Sequence, residues 1–254
     1  MLKKIKTYYS WGGRFLNDPY HQEVKKLNEK EFNKAPTRTK VINFLLSSLD
    51  RETKYLEIGV RNPADNYDHI ISKIKYSVDP GIEFKENPVD FKLTSDEFFK
   101  KLKEGTILEK ELRFDVIFID GMHLAEQVDR DIQNALEFIK GDGFIVLHDC
   151  NPPSEWHARE EHNYRLSPAG NNWNGTTWKA FVKWRQNPEV FSCCIDTDWG
   201  VGVISKTIDI GQSYNGNNEF FEYSNFKKNR ESQLNLLSFS DFRDKIKKNQ
   251  VEYS

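Results

Sequence analysis

Four short apolar runs in this 254-residue chain end the same way, in an acidic or imidazole side chain. They are KYLEIGV (54–60), KYSVDP (75–80), RFDVIFID (113–120) and GFIVLHD (143–149). Apolar runs of this length, without alternation, read as strands buried on both faces, as in a parallel sheet. In an open sheet of that kind ligands sit beyond the carboxyl ends of the strands. One edge therefore collects Glu57 and Gly59, Asp79, Asp120 with His123, and His148 with Asp149.

The segments between the runs carry helical spacing. In PTRTKVINFLLSSL, Thr37 is a candidate N-cap, and Val41, Phe44, Leu45 and Leu49 share a face. VDFKLT (89–94) reads as a weaker third strand, followed by a helix in which Thr94 and Glu97 fit a capping box. After RFDVIFID, Leu124, Val128, Ile132, Ala135, Leu136 and Ile139 recur down one helical face, with Gly141 and Gly143 as its stop. TTWKAFVKWRQ (176–186) is a further helix. VFSCCID (190–196) and GVGVIS (200–205) lie so close together that they predict an antiparallel hairpin. Alternating strands and helices make this an α/β fold with a mainly parallel sheet.

Residues 1–36 read as an N-terminal extension, 37–206 as the catalytic core, 150–175 as an insertion within it, and 207–254 as a helical tail. The 37 basic residues nearly balance the 39 acidic ones, so no global field draws the chain to nucleic acid or to an anionic membrane. No run approaches the roughly 18 apolar residues of a membrane helix, and no secretory signal is visible, which predicts a cytoplasmic protein. Cys150, Cys193 and Cys194 are expected as buried reduced thiols.

LEIGV, YSVDP, FDVIFIDGMH and GFIVLHD with the late hairpin resemble the class I S-adenosylmethionine-dependent methyltransferases over roughly residues 37–206. IDGMHLAEQVDRDI, GDGFIVLHD and the tryptophan-bearing loop are most similar to the macrocin-type sugar O-methyltransferases. The resemblance implies a Rossmann-like sheet of seven strands, helices on both faces, and a C-terminal antiparallel hairpin. It implies S-adenosyl-L-methionine as cofactor, a sugar or glycan hydroxyl as acceptor, and a divalent metal such as Mg²⁺. One departure is clear: the usual Gly-x-Gly-x-Gly after the first strand is reduced to Gly59.

On this reading Glu57, Gly59, Asp79, Ser95, Asp96 and Asp120 serve the cofactor, with Asp79 accepting from both ribose hydroxyls. Asp79-Pro80-Gly81 equally fits a turn, and Ser95-Asp96 equally fits helix capping. Asp120, His148 and Asp149 are the expected metal ligands, although His148 stands where an acid is usual and is also readable as a core histidine. His123, three residues after Asp120, is the expected general base, against the alternative of a helix-capping residue facing water. The Trp- and Asn-rich insertion, with Trp156, Trp173 and Asn174, suits a lid that stacks on and bonds to a small-molecule or glycan substrate. Self-association stays open. The rivals are an NAD-dependent oxidoreductase, whose G-x-G-x-x-G is absent, a metal-dependent hydroxylase-like enzyme on the same scaffold, and a non-catalytic glycan-binding protein.

Overall fold

The apolar runs become strands of a single sheet in the computed structural model, which describes residues 2–84, 86, 88–163 and 166–252. The strands are β1 (Lys54–Ile58), β2 (Ile74–Val78), β3 (Phe114–Ile119), β4 (Ile139–Leu147), β5 (Phe191–Ile195), β6 (Val201–Ser205) and β7 (Leu236–Leu237). Their order is β2-β1-β3-β4-β6-β5-β7. The first four are mutually parallel, β6 runs antiparallel to both β4 and β5, and β7 joins β5 in parallel. The hairpin read from the sequence is thus the β5–β6 pair, inserted in reverse order beside β4.

Helices cover both faces: α1 (Leu2–Asn17), α2 (Pro19–Phe32), α3 (Arg38–Ser48), α4 (Ser95–Glu104), α5 (Ala125–Phe138), α6 (Thr177–Arg185), α7 (Tyr223–Lys228), α8 (Arg230–Leu234) and α9 (Phe239–Glu252). Alternate strand residues point to opposite sides, so each strand feeds two cores. Ile117, Ile119, Ile145 and Leu147 pack with α4, α5 and α6 through Phe98, Ile132 and Phe181. Val116, Phe118, Phe144 and Val146 pack with α3 and α9 through Val41, Leu45 and Phe242. Each such fully buried side chain contributes about 1.5–3 kcal/mol relative to exposure. The three cysteines are buried and unpaired. Among the described residues no helix is long and apolar enough to cross a membrane.

Three local expectations are revised. VDFKLT forms no strand; Phe91 makes an isolated bridge to Val78. The Asp90 carboxylate accepts from Ser77 N (2.8 Å) and Ser77 Oγ (2.7 Å), so a side chain occupies a bonding position that a ladder would use. The seventh strand comes instead from the tail, on the opposite edge. Gly141 and Gly143 do not stop α5, which ends at Phe138 and passes directly into β4. A Cβ on Gly143 would lie 2.8 Å from Asp115 O, at the irregular register between Phe114 and Val116, so close strand approach explains that glycine. Thr37 occupies the N-cap of α3 without a side-chain cap bond, whereas the Thr94–Glu97 capping box on α4 is complete.

The N-terminal segment divides in two. α2 and the turn that follows it are anchored by buried Val24, by Asn28 against His157 Nε2 (2.5 Å) and by Lys34 on Asp196 (2.6 Å). α1 buries no residue.

Candidate active site

Gly59 explains why the strand ends converge. It takes φ +89°, and a Cβ there would fall 2.3 Å from the backbone oxygen of Asp120. Gly59 N donates to Val78 O (2.8 Å) and Asp120 N to Ile58 O (2.9 Å), which stitches the mouths of β2, β1 and β3 together. The glycine therefore serves strand approach, and its space is filled by protein.

Beyond β3 and β4 the structure brings Asp120, His123, His148 and Asp149 into one cluster. His123 Nε2 is 3.1 Å from Asp120 Oδ1, and its Nδ1 is 3.3 Å from both Asp149 Oδ2 and Trp173 O. His148 Nδ1 lies 3.3 Å from the same two carboxylates, while its Nε2 meets Asp198 Oδ1 at 3.2 Å. Asp120, His123 and Asp149 each offer a ligand atom within 4.8 Å of the others. His123, Asp149 and Asp198 all have left-handed backbone, at φ 55°, 60° and 43°. Such conformations cost of order 1–3 kcal/mol each, less for Asp, and persist only where the surroundings impose them. At His123 and Asp149 the imposing segment is 174–176: Thr176 N donates to His123 O (2.7 Å), Thr176 Oγ1 accepts from Ala125 N (2.8 Å), and Asn174 Nδ2 donates to Asp149 Oδ1 (2.8 Å). His123 thus precedes α5 instead of capping it, and its ring faces inward.

Charge in the cluster is mutually supported. Burial alone would lower His148, but Asp149 and Asp120 outweigh it and hold the imidazole well above its usual range. Burial would likewise lower His123, which Asp149 and Asp120 raise. Burial would raise Asp120, but His148, His123 and Arg38 hold it well below the usual carboxylate range. Asp198, against the same burial, is brought down to about 2 by His148 and Arg38.

Sequence reasoning did not find Arg38 or Asp198. Arg38 opens α3 and bridges the cluster, with Nη1 3.4 Å from Asp198 Oδ2, its backbone N–H donating to Asp198 Oδ2 (2.6 Å), and Nε 3.8 Å from Asp120 Oδ2. Arg38 Nε and Asn174 Oδ1 are buried without hydrogen-bond partners, so polar capacity remains at this edge. Trp173 is tilted on His123 with centroids 5.3 Å apart and is stacked on His162 at 5.0 Å. His157 belongs elsewhere: burial lowers it to about 3, and it pairs with Ser154 and Asn28.

The other expected cofactor residues sit at the ends of β1 and β2 and at the start of α4. Glu57 is buried, accepting from Tyr55 Oη (2.5 Å) and Asn66 Nδ2 (2.9 Å), and burial lifts it to about 7. Asp79 is partly exposed at the mouth of β2, where Oδ1 accepts from Gly81 N (2.6 Å), as a turn requires. Ser95 and Asp96 begin α4 and face α5: Gln127 Nε2 donates to Ser95 Oγ (3.1 Å) and Asp96 Oδ1 (3.3 Å), and Arg130 pairs with Asp96 (3.4 Å). Thr94, not Ser95 or Asp96, caps that helix.

A family model described as "Methyltransferase domain" matches residues 37–150. No curated protein matches the chain. Among solved structures the chain is similar to an O-methyltransferase from Bacillus cereus in complex with SAH, at 15% identity over 75% of this chain and 92% of that one, TM-score 0.43. It is similar to the O-methyltransferase TomG from Streptomyces achromogenes in complex with SAM, at 11% identity over 75% of this chain and 91% of that one, TM-score 0.44. A third likeness is the mycinamycin-pathway methyltransferase MycE in complex with Mg, SAH and mycinamycin VI, at 14% identity over 76% of this chain and 54% of that one, TM-score 0.43. The strand ends that carry Glu57, Asp79, Asp120, His148 and Asp149 all lie within the stretch that this family model matches.

Proposed function

We propose that the protein is an S-adenosylmethionine-dependent O-methyltransferase acting on a sugar or glycan hydroxyl, with a divalent cation at its acidic strand ends. The observation that carries this reading is the convergence of Asp120, His123 and Asp149 within 4.8 Å, inside a stretch matched by a methyltransferase-domain model. An edge with this many carboxylates also suits a cationic sulfonium donor. For the acceptor, the partly exposed Trp173 sets an aromatic side chain beside His123, while the fully buried Asn174 positions Asp149.

Two carboxylates and an imidazole are a donor set for a hard-to-borderline ion, Mg²⁺ or Mn²⁺, so the residues fit a cation held by Asp120 and Asp149 with one imidazole beside them. When bound, the cation supplies positive charge that acidifies a nearby hydroxyl and offsets the carboxylates that raise His123.

The rest falls to the chain's own side chains. A sulfonium is already a strong methyl donor, so alignment and removal of one proton are what the protein must provide. Asp79 would accept from the ribose hydroxyls of the cofactor. His123 would serve as the base: Nδ1 can donate to Trp173 O, and Nε2, which lies 3.1 Å from Asp120 Oδ1, would take the hydroxyl proton where the substrate hydroxyl displaces that contact. His148, pinned by three carboxylates, remains an imidazolium that orders Asp120, Asp149 and Asp198. Arg38 fixes the far side of Asp120 and Asp198.

Thermal unfolding with S-adenosylmethionine, S-adenosylhomocysteine and NAD, each with Mg²⁺ or EDTA, tests the reading, because a ligand that binds the native state raises the melting temperature. The two sulfur ligands should stabilise and NAD should not. A shift with NAD alone overturns the proposal.

A further inference from the structure

α1 is a basic amphipathic helix that, among the described residues, buries no side chain. At 100° per residue, Leu2, Ile5, Tyr9 and Leu16 fall on one side, Lys3, Lys4 and Arg14 fall on the other, and Lys6 borders the apolar side next to Leu2. The apolar members are 77%, 55%, 85% and 66% exposed. Soluble domains rarely leave a contiguous surface of this kind open. α1 meets the rest of the chain at its C-terminal end, where Gln22 Nε2 donates to Leu16 O (2.5 Å) and the Phe15 ring lies 4.2 Å from His21.

Charge identifies the occupant. The helix has four cations, Lys3, Lys4, Lys6 and Arg14, and no acid. Among the described residues none of the four has a carboxylate partner. A net charge of −2 for the whole chain conceals this local field. Two copies packing α1 on α1 would bring eight like charges together, whereas an anionic lipid surface satisfies both faces at once. The central Gly12-Gly13 pair weakens the helix by about 1 kcal/mol per glycine in water, a cost that adsorption of the apolar face would offset.

We propose that α1 lies in the plane of an anionic lipid surface, its apolar side sunk among the acyl chains and its lysines among the headgroups, so that the catalytic body is held at a bilayer. This concerns the site's location and is independent of the cofactor and acceptor assigned above.

Flotation with vesicles of phosphatidylcholine alone and of phosphatidylcholine mixed with phosphatidylserine tests it. The full chain should float with the mixed vesicles only, and less so as salt rises. Each basic residue near such a surface contributes about a fivefold factor, so Lys3→Ala with Lys6→Ala should weaken binding about thirtyfold. Ile5→Asp with Leu16→Asp should abolish it, with the melting temperature unchanged because neither residue is buried. Failure of the full chain to float, or equal flotation of either double variant, overturns the proposal. A dimer in light scattering that the Ile5→Asp and Leu16→Asp variant loses, without vesicle binding by the full chain, also overturns it and gives the face to a second copy.

Discussion

Replacing Glu57 with Gln should make the protein more stable at neutral and alkaline pH, and the size of the gain follows from its surroundings. Burial lifts this carboxyl from 4.5 to about 7, against the opposing hydrogen bonds from Tyr55 and Asn66. A folded-state value above the unfolded one means that folding favours the protonated form. The stabilisation is therefore complete below pH 4.5 and is lost as pH rises toward about 7. At about 1.36 kcal/mol per unit, the loss amounts to about 3 kcal/mol. Gln keeps a neutral acceptor for Tyr55 Oη and Asn66 Nδ2 and cannot ionise. Urea unfolding of both proteins across this pH range isolates the effect, because titrations common to both cancel in the difference. The variant should gain on the wild type by about 3 kcal/mol between the acid and alkaline ends of the range. A difference curve flat across the range would refute the assignment of a buried, proton-retaining carboxyl.

Four further outcomes follow from the site. Asp79→Ala should weaken S-adenosylhomocysteine binding by about 1.5–3 kcal/mol in calorimetry, while unchanged affinity would leave Asp79 only its turn bond to Gly81. His123→Ala should lower methyl transfer by about 10²–10⁴ with cofactor affinity preserved, and full turnover would remove the base. If Asp149→Asn still shows the Mg²⁺-dependent rise in melting temperature, or the wild type is fully active in EDTA, the cation has no place at these strand ends; the expected result is loss of both the response and most activity. Gly59→Ala places a Cβ 2.3 Å from Asp120 O at φ +89°, so it should cost about 2–5 kcal/mol in urea unfolding, and near-wild-type stability would contradict that close approach.

Much of the sheet was legible because its signals are local. Buried parallel strands announce themselves as apolar runs, and the residues ending them land at one edge whatever the loops do. The capping box at Thr94 and Glu97 and the spacing of Val128, Ile132 and Ala135 on α5 are equally local. What failed to show depended on distance. Arg38 looked like the opening of an ordinary helix, yet its partner Asp198 lies 160 residues away. Asp198 itself sat in a short hairpin connection that composition marks only as a turn. The two-residue β7 carries no periodicity at all, so its place in the sheet comes from tertiary contact alone. Gly143 was misread because a glycine demanded by a neighbouring backbone looks, in sequence, like one that ends a helix.

The placement of β7 bears on what happens when the fold is damaged. β5 is apolar and uncharged, FSCCI, and would otherwise form the rim of the sheet. The tail covers that rim: Cys194 N donates to Asn235 O (3.3 Å) and Asp196 N to Leu237 O (2.9 Å). Exposed rims of this composition template pairing between molecules. Proteolysis between α8 and β7, or a variant that loosens Asn235 from its left-handed turn, would uncover a sticky strand on an otherwise intact sheet. The residues that keep this protein from aggregating thus include a pair of leucines far along the chain from the strand-end cluster.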